Sequence, residues 1–476
     1  MTGRNNGHLL AVAGLAVVAR LLVGAQQVLA ASRQGGQFYQ RPGVGAAEII
    51  RARGYAAEEN YLVSRDGYVL QLVHAWNPLL QGNETLARSR APILFVHGLM
   101  AQANAYVLNS FEARPRDWSA QDADQMAREH LLADPSSKSL PLLAMNFGHH
   151  VWLLNRRGAP GSRQKLEPRL GAGLRRRQQS SLSSYYDPWQ TLTSALGALL
   201  DFEHNLKLIP LSFDSNFWSY SMDEQAMDDL PLVVEHIGRQ SDGSKVALVG
   251  HSEGGAIALM ALSEREPAAK LARWLSSATL WSPAFAVGLG DSQPASVLLM
   301  HLFQAYFGSL PPVNLVEQIE ANLALLCSTN TSRWAICDSL FGPHEPLQPQ
   351  FISAFFYASS PRELAQFQQC INKYSGNMHH YDFGSKHANR AKYNQSEPPA
   401  YEANKIDFKH LSLYVGREDT SVSVTDVRFT SSKLKVAHEF HLIDEHFGHQ
   451  GYFFNEHTAR LAVIPSLIGI QKFSKQ

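Results

Sequence analysis

The stretch "KVALVGHSEGGAIALMAL" (245–262) limits the folds open to this chain more than any other. Small and β-branched residues run to Val249, a serine follows between Gly250 and Gly254–Gly255, and an Ala- and Leu-rich segment comes next. A strand-forming run followed at once by a helix-forming one predicts a strand-to-helix turn with Ser252 at its apex. "GHSEG" fits G-x-S-x-G, whose glycines are needed because side chains there would collide with the neighbouring strand and helix. Such a turn holds its serine in a strained backbone with the hydroxyl exposed, as a nucleophile requires.

Other short apolar runs read as buried strands: "YVLQLVHAW" (68–76), "APILFVHG" (91–98), "HHVWLLNRRG" (149–158), "SATLWSP" (277–283), "HLSLYVG" (410–416) and "AHEFHLID" (437–444). Between them lie stretches with helical spacing, such as 221–240, which carries acids in its first turn. Unbroken apolar strands alternating with helices predict an α/β fold, a mostly parallel central sheet flanked by helices on both faces. Two regions break the rhythm. Residues 160–216 are rich in Arg, Ser and Gln and read as a solvated loop. Residues 283–403 carry mixed helical patterns and read as an inserted cap or lid domain, with the core formed by 31–282 and 404–476.

A serine is a weak nucleophile until a base takes its proton and a carboxylate orients that base. On a parallel hydrolase sheet these partners follow in the order acid, then histidine, each after a strand. "REDTSVS" follows the strand 410–416 and offers Asp419, with Glu418 and Asp426 as alternatives. "EHFGHQGYFF" follows the last strand and offers His446 and His449. His449 is favoured, because Gly448, Gly451 and the aromatics beyond suit a loop folding back over the site. The oxyanion of an acyl-transfer intermediate needs N–H donors aimed at it. The backbone of Glu253 supplies one, and Leu99, after the turn at Gly98, the other.

Composition bears on setting and partners. Forty-two basic residues balance forty-two acidic ones, so nothing favours nucleic acid as a partner. Arg4 and the apolar run to Ala30, ending small-x-small at Val28 and Ala30, read as a secretory signal over 1–30, or as an uncleaved anchor. Nothing after residue 32 is long and apolar enough to span a bilayer. A secreted or lysosomal, endomembrane-lumen location follows as the expectation. Sequons at Asn83, Asn330 and Asn394 agree with it. Of three cysteines, Cys327 and Cys337 bracket a short loop that a disulfide could close, while Cys370 has no obvious mate. The pairs His149–His150 and His379–His380 lack metal-ligand spacing, and no metal or organic cofactor is expected.

With these residues in view, the chain resembles the acid lipase family, the gastric and lysosomal lipases of the α/β-hydrolase fold. The similarity runs from about residue 46 to about 455. Its most specific stretches are "AAEIIRARGYAAEENYLVSRDGYVLQL", the "FWSYSMDEQAMDDLP" block (217–231) and "YNQSEPPAY" (393–401), with "HGL" (97–99), "VWLLNRRG" (151–158), "GHSEGG" (250–255) and "YDFG" (381–384) between them. The resemblance implies Ser252 as nucleophile, Asp419 as acid, His449 as base, and Leu99 and Glu253 as oxyanion donors. It also implies a lid over the cap region, with its disulfide near Cys327 and Cys337. The chain departs from the family at Glu253, where glutamine is common, and in "NRRG", where an arginine replaces a smaller residue. A carboxylate at 253 would oppose an oxyanion if it were ionised and turned inward.

The implied activity is hydrolysis of neutral lipid esters such as triacylglycerols or sterol esters, with transient contact at a lipid interface. Two other readings fit the same residues: a carboxylesterase of shorter acyl esters, and a catalytically inactive hydrolase-fold protein that binds a lipid or a partner.

Overall fold

The computed structural model describes residues 45–82, 89–166, 217–290 and 359–474. The signal segment 1–30, Asn83, Asn330, Cys327, Cys337, residues 291–358 of the cap region and most of the 160–216 stretch lie outside the described residues.

The described strands form one sheet: β1 (Ala56–Val63), β2 (Tyr68–Trp76), β3 (Ile93–Val96), β4 (Val151–Asn155), β5 (Gln164–Lys165), β6 (Val246–His251), β7 (Leu275–Trp281), β8 (Leu411–Gly416) and β9 (His438–Ile443). Their order is β1-β2-β4-β3-β6-β7-β8-β9, with short β5 beside β2. The β1–β2 and β2–β4 pairs are antiparallel, and every pair from β4–β3 through β8–β9 is parallel. This is the α/β-hydrolase fold. Each expected strand is present, with some ends shifted by one to three residues. The edge strand β1 was not foreseen from strand periodicity, because Glu58, Glu59 and Asn60 interrupt its apolar pattern. It is half-exposed and relies on pairing with β2.

Helices α1 (Ala46–Ala52), α2 (Leu140–Asn146), α3 (Leu230–Gln240), α4 (Glu253–Ser263), α5 (Pro361–Lys373), α6 (Val424–Lys433) and α7 (Ile464–Ser474) surround the sheet. Alternate side chains of each central strand serve different faces. Ala247 and Val249 of β6 join the apolar cluster of α1, α2 and α7, while Val246 and Leu248 join that of α3 and α4. The helix expected over 221–240 is divided. A first turn opened by a Ser221–Glu224 capping box leads through a wide turn, Gln225–Asp229, into α3. Pro231 at the start of α3 has no N–H to donate back into an α-helical turn, which accounts for the widening.

Buried polar groups tie the layers together. The Arg157 guanidinium pairs with Asp229 at 2.6 Å and Asp66 at 2.6 Å and lies 4.1 Å from the centre of the Tyr68 ring. The limb 359–403 packs onto the α3–α4 face through Phe367, Cys370, Met378 and Tyr401. Cys370 is buried and unpaired. Asp223 fastens this limb by accepting hydrogen bonds from Gln366, the Tyr381 N–H and the Tyr401 hydroxyl at 2.7, 2.9 and 2.8 Å. The "FW…DE…DLP" and "YNQS…PPAY" stretches, remote in sequence, therefore meet at one carboxylate. Asn394, the described sequon residue, is exposed at the left-handed end of a short helix. No described helix is long and apolar enough to cross a membrane.

Candidate active site

Ser252 sits where β6 gives way to α4, with φ 55° and ψ −118°. A non-glycine residue in this region stores about 1–3 kcal/mol of backbone strain, which the surroundings must hold. Here the Ser252 N–H donates to the Trp281 carbonyl at 2.8 Å, and the Ser252 carbonyl accepts from Ala256 and Ala284 at 3.0 and 3.1 Å. Gly254 is required by space, since a Cβ there would run into the Val96 carbonyl of the adjacent strand.

The downstream partners arrive at this apex. His449, on the loop after β9, has Nε2 2.9 Å from Ser252 Oγ and Nδ1 2.8 Å from Asp419 Oδ2. Asp419 stands on the turn after β8, where its N–H donates to Gly416 at 3.2 Å. Its other oxygen, Oδ1, accepts from the N–H groups of Ser421 and Val422 at 3.0 and 2.8 Å. The carboxylate is thus fixed with one oxygen free for the imidazole. With Nδ1–H donating to Asp419, Nε2 is the basic nitrogen facing Ser252. The alternatives go elsewhere. His446 is exposed and contacts Glu418 at 2.5 Å, and Asp426 caps α6 and accepts from the Leu289 N–H at 2.8 Å.

His251 is a member of the site that sequence reasoning passed over. Its Nε2–H donates to the His449 carbonyl at 3.0 Å and so holds the backbone of that histidine. Burial, and then the neighbouring His449, push its pKa well below the ordinary histidine value, so it stays neutral. The signal was present in the motif, as the x of G-x-S-x-G on a strand end.

On the other side of Ser252 lies the loop after β3. A Cβ on Gly98 would stand 2.9 Å from Ser252 Cβ, so this peptide lies directly against that serine. Among the described residues, no acceptor faces the N–H of Leu99 or of Glu253, the first residue of α4. Two such donors beside a serine, with a basic imidazole opposite, form an arrangement suited to acyl transfer.

Comparison with known proteins agrees. The family model described as "Partial alpha/beta-hydrolase lipase region" matches residues 46–110, and one described as "Serine aminopeptidase, S33" matches 216–338. The human gastric triacylglycerol lipase is 24% identical over 415 residues, covering 82% of this chain and 81% of the relative. The tear acid lipase-like protein of Mesocricetus auratus is 23% identical, covering 87% and 89%. Human lipase member N is 24% identical, covering 84% of each.

The chain is similar to the acid lipases over most of its length.

This acid-lipase-like hydrolase carries a buried charge cluster beside Ser252. Glu253 is fully buried, and its carboxylate meets Arg156 Nη2 at 2.5 Å. Arg156 Nη1 lies 2.9 Å from Gln225 Oε1 and 3.3 Å from Glu363 Oε1, the latter on α5 of the 359–403 limb. Glu363 also accepts from Gln225 Nε2 at 2.5 Å and from the Ser360 N–H at 2.7 Å. Burial, and then the Glu253 charge, raise the Glu363 pKa above the usual carboxylate range. Among the described residues, no group of three or more His, Cys, Asp or Glu side chains could hold a metal ion.

Proposed function

We propose that this hydrolase cleaves the ester bonds of neutral lipids, triacylglycerols or sterol esters, through Ser252, His449 and Asp419. The observation that carries the reading is the hydrogen-bonded line Ser252–His449–Asp419, with contacts of 2.9 and 2.8 Å. His449 Nε2 takes the proton as Ser252 Oγ attacks the ester carbonyl carbon, and Asp419 stabilises the imidazolium. The Leu99 and Glu253 N–H groups receive the oxyanion. The intermediate collapses as the imidazolium protonates the leaving alcohol. Water, activated by His449, then attacks the acyl-serine, releasing the fatty acid and returning the proton to Ser252.

The neutral-lipid assignment is supported by the relatives' names and by the inserted region at 283–403. A cap over the site would bury acyl chains, each CH₂ contributing about 0.8 kcal/mol. The chain would meet its substrate transiently at a lipid interface, in the secreted or lysosomal lumen that the segment 1–30 and the sequons suggest.

Fluorophosphonate labelling and a hydrolysis series over acyl length test the reading together. The native chain labels, Ser252→Ala does not, and long-chain emulsions are hydrolysed. Equal labelling of Ser252→Ala refutes the nucleophile. Hydrolysis limited to short acyl esters refutes the lipase assignment and leaves a carboxylesterase.

A further inference from the structure

A carboxylate beside an oxyanion hole is a chemical liability, and Glu253 is the residue whose N–H would form half of that hole. The structure contains an answer to it in Arg156, at the end of β4. The same Nη2 that meets Glu253 at 2.5 Å also donates to the Gly98 carbonyl at 2.8 Å. That carbonyl belongs to the peptide carrying the Leu99 N–H. In a trans peptide the C=O and the following N–H point in opposite directions. Holding the Gly98 oxygen toward Arg156 therefore aims the Leu99 N–H the other way.

His97 completes the grip. Its Nε2 accepts from the Arg156 backbone N–H at 3.0 Å, which leaves the proton on Nδ1 to donate to Gly98 O at 2.9 Å. Burial, and then the Arg156 charge, hold the His97 pKa well below its ordinary value, so the ring stays neutral. One guanidinium thus touches the peptide of one oxyanion donor and the side chain of the other.

The 359–403 limb closes the arrangement. Glu363 reaches Arg156 from α5, and Ser359, just before that helix, accepts from the Met100 N–H at 2.8 Å. Met100 follows Leu99 and has φ 56°, so the oxyanion loop is pinned on both sides of its donor. Buried ion pairs are weak sources of net stability, since desolvation offsets the attraction. A buried cluster of one arginine and two glutamates needs another explanation, and its contacts supply one.

We propose that Arg156 is the positioning residue of the oxyanion hole, locking the Glu253 carboxylate out of the hole and orienting the Gly98–Leu99 peptide. Glu363 ties this lock to the 359–403 limb. The inference rests on the reading of Ser252 as nucleophile, and a Ser252→Ala control separates the two.

The test is steady-state kinetics, with active-site titration, on a soluble p-nitrophenyl ester with Arg156→Met and Arg156→Met/Glu253→Gln. Arg156→Met is expected to lower kcat by about a hundredfold with KM within about threefold, because the lost interaction orients donors rather than binds substrate. Removing the stranded carboxylate in the double variant is expected to restore at least about tenfold over Arg156→Met. Active-site titration counts only folded enzyme, so a general loss of structure lowers the titrated fraction and leaves kcat per site unchanged. Where Arg156→Met does not fold, Arg156→Met/Glu253→Gln/Glu363→Gln removes all three ionisable groups and isolates the grip on Gly98. That variant is expected to keep at least about a tenfold kcat deficit. Native kcat in Arg156→Met or in the triple variant overturns the proposal, as does a double variant no faster than Arg156→Met. If Ser252→Ala retains the native rate, the nucleophile assignment is what fails.

Discussion

Gly98→Ala offers a sharp perturbation of the site, because it adds one methyl group where the geometry is known on both sides. The new carbon would lie 2.9 Å from Ser252 Cβ and 3.1 Å from His251 Nδ1. Comfortable carbon–carbon contacts begin near about 3.5–4.0 Å, so the loop and the elbow must separate by about 0.8 Å. The elbow resists, since Ser252 is bonded through its N–H to Trp281 and through its carbonyl to Ala256 and Ala284. The loop therefore gives, carrying the Leu99 N–H with it and pulling Gly98 O from Arg156 and His97. Misplacing a catalytic contact by about 1 Å costs on the order of a hundredfold, and removing an oxyanion donor costs about 2.7–4 kcal/mol. Gly98→Ala is accordingly expected to lower kcat by about 10²–10³ with KM within about threefold. Overpacking should destabilise the fold by about 1–3 kcal/mol. Active-site titration with steady-state kinetics on a p-nitrophenyl ester gives the per-site kcat, and thermal melting reports the fold. A folded Gly98→Ala enzyme with kcat within about twofold of native would refute the placement of the hole.

Asp419→Asn should lower kcat by about 10⁴, since an amide no longer fixes the His449 tautomer, while His446→Ala should leave kcat within about twofold; the reverse ranking in the same assay would reassign the base. Arg157→Met strands the buried Asp229 carboxylate and should destabilise the fold by about 3–5 kcal/mol in urea unfolding, with an unchanged midpoint as the contrary result. At His380, burial works to lower the pKa, but Asp223 and Glu264 outweigh it and raise the value from 6.5 to about 9. Because the folded pKa exceeds the unfolded one, this stabilisation is complete below about pH 6.5 and disappears as pH rises toward 9, amounting at full strength to about 3 kcal/mol. His380→Gln should thus be markedly less stable than native at pH 5 and nearly equal to it above pH 9; a pH-independent difference would contradict the ion pairing.

How far the sequence reveals this molecule depends on the range of the interaction being read. The central strands are legible because burial on both faces makes them continuous apolar runs, as in "KVALVG" and "HLSLYVG". β1 is not, since an edge strand needs apolar residues on one face only, and Glu58, Glu59 and Asn60 break even that pattern. The serine, carboxylate and histidine can be placed by local context, each following a strand with small residues nearby. Their contacts with each other are beyond local reading, and so is the choice between His446 and His449, three residues apart on one loop. The structure brings His449 to Ser252 and leaves His446 exposed, bonded to Glu418.

Glu253 shows the same limit from the other side. Read alone, a glutamate after the nucleophile looks hostile to an oxyanion, and an arginine in "NRRG" looks like an unrelated change. In the fold Arg156 meets that glutamate across 97 residues of chain, and through Gly98 it also holds the peptide that bears the other donor. A third partner, Glu363, comes from still farther along, on a helix whose approach no local pattern announces. Two charges that each look misplaced in sequence are therefore compatible with one oxyanion hole only as a pair. A substitution at either position has to be judged with the other side chain, and with Glu363 on the 359–403 limb, in view.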